Sequence, residues 1–172
     1  LAHVPDLQAA VGDYGRAIGI MEGLRDLLEP QKRWDPKLRN DLAGAYMNRG
    51  NALAHVPDLK AAVGDYGRAI QIMEDLRELL EPQGRWDPAL RNDLANAHVN
   101  RGNALEPEAS DPALADYDQA LAILVPLAAR FADFALKALR AMALRYRLAA
   151  PDDPTDAEAI VRRCVEDTSP AA

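Results

Sequence analysis

The sequence predicts an all-α protein, an α-solenoid of about seven helices stacked in antiparallel pairs. Residues 1–52 recur as residues 53–104 with nine substitutions, and a repeat of this length is typical of proteins that stack one supersecondary unit. Apolar residues follow a helical spacing in both copies, and nowhere does the sequence alternate as a β-strand would. The corner His-Val-Pro-Asp at residues 55–58 is short enough to make neighbouring helices antiparallel.

The longer helix of each unit is predicted over 7–28 and 59–80. In the second copy the residues of one helical face are apolar or small: Leu59, Ala62, Tyr66, Ala69, Ile70, Met73, Leu76 and Leu80. Asp58 precedes this run as an N-cap, and Pro82 marks its end.

The other helix of each unit begins at an Asp-Pro pair, which places a capping carboxylate before a proline at the first helical position. Asp35-Pro36 therefore starts a helix that runs to about Leu53. Trp34 and Trp86 immediately precede their caps, where an aromatic side chain is expected to pack against the first helical turn.

A degenerate third unit is predicted over 105–127, with its second helix stopping near Val125 because Pro126 follows. A helix over about 127–149 is expected to be buried between neighbours, since its apolar residues form two stripes. These are Leu127, Phe131, Phe134, Ala138 and Met142, and Leu136, Leu139, Ala143 and Tyr146. After Pro154, a short helix with a capping box at Thr155 and Glu158 would close the solenoid. Residues 1–127 are thus assigned to the repeat array, and 128–172 to C-terminal packing helices of the same solenoid.

Composition excludes several classes of protein. Hydrophobic residues make up 49% and charged residues 27%, as in soluble globular proteins, and no segment reaches the roughly 20 apolar residues of a membrane span. We therefore expect a cytoplasmic protein. A net charge of −7 argues against nucleic acid as a partner. The basic residues between Arg130 and Arg147 are expected to solvate a helix face, with a functional basic patch as the alternative.

Catalysis finds little support in the sequence, and we expect neither an enzyme nor a cofactor. The few serine and threonine hydroxyls lie away from any histidine, although nucleophilic catalysis needs a base within hydrogen-bonding reach. The histidines are not spaced as metal ligands, and the single cysteine, Cys164, offers neither a disulfide nor a metal cluster.

The unit resembles the tetratricopeptide repeat. The resemblance rests on residues 46–53, with an aromatic at Tyr46 and a small residue at Gly50, and on the small-aromatic-small series Ala62, Tyr66 and Ala69. The third copy keeps His98, Gly102, Leu105, Ala113, Tyr117 and Ala120. The family's unit is about 34 residues long, so this one has lengthened helices and a longer connector, which leaves the superhelix pitch open.

The resemblance implies a noncatalytic scaffold that binds a peptide or partner protein in a concave groove lined by the first helix of each unit. The candidate contact residues are Gly44, Met47, Asn48, Asn51 and His55 in the first unit, and Asn96, Val99, Asn100 and Asn103 in the second. An asparagine amide matches the donor and acceptor of a peptide backbone whatever its sequence. The alternatives are that these asparagines are merely solvated, and that the chain is a self-assembling spacer or a regulatory array of a larger protein.

Two further expectations concern charge and the N-terminal end. Arg49 and Arg101 stand where the family usually has leucine, and buried charges need partners, so we predict the pairs Asp13–Arg49 and Asp65–Arg101. Residues 1–3 match the tail of a first helix, so the array is expected to be a fragment. The helix over 7–28 then has an uncovered apolar flank, which predicts self-association.

Overall fold

The computed structural model describes residues 4–149, and this part of the chain contains six α-helices, two short 3-10 helices and no β-strand. The α-helices are α1 (Val4–Leu28), α2 (Pro36–His55), α3 (Leu59–Leu80), α4 (Pro88–Leu105), α5 (Ser110–Ala128) and α6 (Ala135–Ala149), and the 3-10 helices are Glu81–Gln83 and Ala132–Phe134. The all-α prediction is confirmed. The predicted seventh helix after Pro154, together with Cys164 and residues 1–3, lies outside the described residues.

α2 and α3 begin where their capping residues predict, whereas α1 begins at Val4, before the predicted start at Leu7. The Asp35 carboxylate accepts a hydrogen bond from the Leu38 amide at 2.9 Å, and Asp58 accepts one from the Ala61 amide at 3.1 Å. Each such bond satisfies one backbone N–H that the first helical turn leaves without a partner, which stabilises a helix by about 1 kcal/mol. Local sequence thus fixes the N-terminal ends of α2 and α3.

The chain divides into two compact units, Leu1–Leu90 and Arg91–Ala172. In the first unit, α2 packs against both α1 and α3. The pairs are antiparallel, since Tyr46 of α2 contacts Glu22 of α1 and Arg49, one turn later, lies beside Gly15. Trp34 is buried ahead of α2, as expected of an aromatic in that place.

In the second unit, α5 packs against α6 around a cluster of buried residues: Ala95, Ala120, Leu124, Ala138 and Ala141. Basic residues of α6 contact side chains of α4, of the corner that follows α4 and of α5. Lys137 donates to the Asn92 side chain at 2.6 Å, and Arg147 donates to the Glu106 carboxylate at 2.5 Å. These partners favour a structural role for Lys137 and Arg147 over a functional basic patch.

Two predictions about the C-terminal helices were wrong. α5 does not stop at Val125 but continues to Ala128 with Pro126 inside it. Pro126 removes one intrahelical hydrogen bond, but the Ala129 amide still bonds to the Val125 carbonyl at 3.1 Å. The helix predicted from residue 127 begins only at Ala135, since the backbone at Phe131 is extended (φ −140°, ψ 109°).

The expected burial of both apolar stripes of α6 was also wrong. Ala138 and Met142 of the first stripe are buried, whereas Leu136 and Leu139 of the second are 76% and 44% exposed. α5 packs against α6 on the side of Ala138. One apolar side of α6 is therefore open in the described part of the chain.

Candidate functional site

Consecutive residues of α2 hold consecutive residues of α3 in an arrangement that we call the Arg-Gly-Asn clasp. Arg49 donates from Nε and Nη2 to the two oxygens of Asp65 at 2.6 and 2.7 Å. A bidentate guanidinium–carboxylate pair fixes orientation as well as contributing free energy. The Asp65 side chain is buried and the Arg49 side chain is about a quarter exposed, so the pair lies at the edge of the interface between α2 and α3.

Glycine and asparagine complete the clasp against a tyrosine. A Cβ atom on Gly50 would lie 2.8 Å from Cε1 of Tyr66, so only glycine allows the ring this close approach. The Tyr66 hydroxyl donates to Oδ1 of Asn51 at 2.8 Å. Burial, with a smaller contribution from the neighbouring Asp65 carboxylate, raises the pKa of Tyr66 to about 12, so the hydroxyl keeps its proton and remains a donor.

The same clasp recurs between α4 and α5. Arg101 donates to Asp116 at 2.7 and 2.6 Å, a Cβ atom on Gly102 would lie 2.7 Å from the Tyr117 ring, and the Tyr117 hydroxyl donates to Asn103 at 2.8 Å. The connector in this copy is one residue shorter, yet all three contacts persist. The clasp is therefore a property of the repeat and does not depend on one corner length.

The clasp corrects the predicted ion pairs. We expected Asp13–Arg49 and Asp65–Arg101, but Arg49 binds Asp65 and Arg101 binds Asp116. Each arginine thus pairs with the aspartate of the helix that follows it, because the short corner brings the end of one helix beside the start of the next. Asp13 pairs instead with Arg16 on its own exposed surface.

His98 adds a second cation-capable group, beside Arg101, to the second clasp. Its Nδ1 lies 2.8 Å from Oδ1 of Asp116, and its Nε2 is buried without a hydrogen-bonding partner in the described part of the chain. Burial raises the pKa of Asp116, but hydrogen bonds from His98 and Arg101 outweigh burial and hold that pKa below its usual range. In the first repeat the equivalent residue is Tyr46, which donates to Glu22 at 2.8 Å.

The nine candidate contact residues lie on one face of each of their helices. In α2, Asn48, Asn51 and His55 are exposed while Gly44 and Met47 are partly buried. In α4 only Asn103 is exposed, whereas Asn96, Val99 and Asn100 are partly buried. Val99 packs against the buried cluster of the second unit, so much of its surface is already committed to the core.

Two of the asparagines have a structural task that the sequence did not reveal. Asn51 and Asn103 hold tyrosines of the following helix, so their carboxamides are oriented before any ligand arrives. The recurrence of Arg-Gly-Asn in one helix and Asp-Tyr in the next was the signal that could have revealed these contacts.

A cleft of about 370 Å³ lies within the compact unit formed by residues 1–90, away from the candidate contact residues. It is lined by Glu29, Lys32, Trp34, Pro36, Arg39, Leu79, Gln83 and Arg85. Arg39 crosses its wall, donating to the Trp34 carbonyl at 3.3 Å and lying 3.5 Å from Glu29. Two of the charged groups that line this cleft, Arg39 and Glu29, are thus engaged with each other.

Within residues 4–149, no three or more His, Cys, Asp or Glu side chains come together as metal ligands. None of the helices in this range has the length and apolar character that would let it span a membrane. Comparison with protein-family models, with curated proteins and with solved structures found no match.

Proposed function

We propose that this chain is a noncatalytic scaffold of tetratricopeptide-like repeats that binds a peptide or partner protein through the asparagine-bearing faces of α2 and α4. The observation that carries the proposal is the exposed polar row Asn48, Asn51 and His55 on α2, a helix fixed on both flanks by α1 and α3. A rigid helix that leaves one polar face in solvent is suited to recognition.

Recognition by such a face would use its side-chain amides. Each amide offers two N–H donors and a carbonyl acceptor, the same groups that pair peptide backbones. The clasp orders Asn51 and Asn103 in advance, and ordering before binding reduces the entropic cost of association. Substitutions at residues 44 and 47 relative to 96 and 99 would then tune each repeat for a different segment of ligand.

A second function, a self-assembling spacer, is favoured by one observation. Large apolar side chains of α1 are exposed, with Ile20 73% and Leu27 67% accessible, as expected of a surface that meets another molecule. Under this alternative the asparagine rows are solvated and take no part in assembly. A regulatory array within a larger protein would use either surface.

The two functions are separated by selection from a displayed library of random peptides. The purified chain should enrich peptides that the variant Asn48→Ala/Asn100→Ala no longer retains. Gln119→Ala, an exposed change on α5, serves as the control and should bind as the parent chain does. The spacer would be supported, and the scaffold rejected, if no peptide is enriched and the mass measured by sedimentation rises with concentration for both the parent chain and the Asn48→Ala/Asn100→Ala variant.

A further inference from the structure

The first and second copies contain nearly the same helix in two different environments. Residues 7–28 and 59–80 differ at four positions, so α1 and α3 present almost identical faces. In α3, Asp65 and Ala69 are buried and Leu76 is 0% exposed. Their equivalents in α1 are Asp13 and Ala17, both exposed, and Leu24, which is 37% exposed.

The chain itself shows what covers such a face. On α3 the covering helix is α2, which brings Arg49 to Asp65, Gly50 to the Tyr66 ring and Asn51 to the Tyr66 hydroxyl. The receiving half of this clasp is an aspartate followed by a tyrosine. α1 carries the same two residues, Asp13 and Tyr14, at the equivalent positions.

α1 meets α2 through a different side. Glu22 accepts the hydroxyl hydrogen bond of Tyr46, and Arg49, which lies beside Gly15, directs its guanidinium to Asp65 instead of Asp13. The Asp13 side chain remains 66% exposed beside Arg16, a residue of the same helix. On α1 the aspartate of the receiving half therefore faces solvent, and the tyrosine, Tyr14, is partly buried.

We propose that α1 is a docking surface for a partner helix that carries the sequence Arg-Gly-Asn with apolar residues on the same face. The arginine would pair with Asp13, the glycine would admit the Tyr14 ring, and the asparagine would accept from the Tyr14 hydroxyl. Apolar residues of that helix would cover Leu24. A folded second copy is not the occupant, because its own Arg-Gly-Asn segments are engaged by α3 and α5.

Selectivity of this surface follows from the clasp geometry. Any residue larger than glycine would collide with the tyrosine, as a Cβ atom at Gly50 would lie 2.8 Å from Tyr66. An acidic residue in place of the arginine would meet Asp13 with like charge, which disfavours a wrong partner. The surface thus recognises a helix by one cation and one small residue.

The test is binding of a fluorescein-labelled peptide with the sequence of residues 36–55 to the full chain, followed by anisotropy. Loss of a charge-assisted hydrogen bond costs about tenfold or more in affinity, so Asp13→Arg should weaken binding by at least that factor. A peptide carrying Arg49→Asp should restore binding to the Asp13→Arg chain. Gln8→Ala is the matched control, because its equivalent Lys60 stays exposed on the covered helix α3.

Three results would overturn the proposal. The first is no binding of a peptide that circular dichroism shows to be helical. The second is equal binding of a peptide carrying Gly50→Val, and the third is self-association of the unliganded chain that Asp13→Arg abolishes. The variant Asn48→Ala/Asn100→Ala should bind the peptide as the parent chain does, so this proposal and the scaffold function fail independently.

Discussion

Gly50→Ala is the substitution that most sharply probes the packing of α2 on α3. Alanine in a helix interior is ordinarily favoured over glycine by about 0.5–1 kcal/mol. At Gly50 the new methyl group would lie 2.8 Å from the Tyr66 ring, which is 2% exposed and tethered through its hydroxyl to Asn51. The ring cannot move aside without breaking that hydrogen bond.

The magnitude follows from a matched pair of variants. Forcing an extra methyl group into a packed interface costs about 1–3 kcal/mol, whereas nothing lies within 4 Å of a Cβ atom placed on Gly44 of the same helix. Both variants gain the same helix propensity. Gly44→Ala should therefore be more stable than Gly50→Ala by about 1–3 kcal/mol, the overpacking cost alone.

Urea unfolding followed by circular dichroism measures this difference directly. We expect Gly44→Ala to raise the free energy of unfolding and Gly50→Ala to leave it unchanged or lower it. Equal stabilisation by the two alanines would refute the reasoning, because it would mean that the Tyr66 ring does not contact the glycine.

Other variants test the charges and the connector. Arg49→Met should lower the free energy of unfolding by about 2 kcal/mol, because it leaves a buried carboxylate without its charge-assisted bonds; a change within error would reject the pair. The pKa of Asp116 is depressed in the folded state, so its contribution to stability is present above the unfolded value of about 4 and is lost as pH falls through the lower folded value. In the Asp116→Asn variant the free energy of unfolding should therefore fall less steeply as the pH is lowered through the acid range. An equally steep fall in the variant and the parent chain would contradict this. His98→Phe removes one of the bonds that lower the pKa of Asp116, so NMR titration should find that pKa raised. Lys32 has φ 56° where the second copy has Gly84 at φ 66°, so Lys32→Gly should raise the thermal midpoint, and a lower midpoint would show that this backbone conformation is not strained.

Features that depend on residues near one another in sequence were predictable. Asp35 and Asp58 cap helices through amides three residues away, and the helical periodicity of each copy located α1 to α4. The partner of Arg49 was missed because Asp13 and Asp65 lie at equivalent positions of two similar helices that both pack on α2, and helical periodicity alone does not distinguish them.

The ends of the C-terminal helices were missed for a related reason. A proline in a helix predicts a stop or a kink, and the sequence alone does not distinguish the two outcomes; at Pro126 the Ala129 amide still bonds to the Val125 carbonyl at 3.1 Å. For the candidate contact residues, periodicity correctly placed Asn48 and Asn51 in solvent. It did not show that Asn51 also holds Tyr66, because that contact joins two helices.

The central claim is that the Arg-Gly-Asn clasp joins α2 to α3 and also α4 to α5, although the connector in the second pair is one residue shorter. NMR spectroscopy of the full chain tests it most directly, through nuclear Overhauser effects between the Hα protons of Gly50 and the Hε protons of Tyr66, and between those of Gly102 and Tyr117. We predict strong effects in both pairs, each lost when its tyrosine is replaced by leucine. The account would be contradicted if the effect is seen for Gly50 but not for Gly102, or if it is seen for neither glycine.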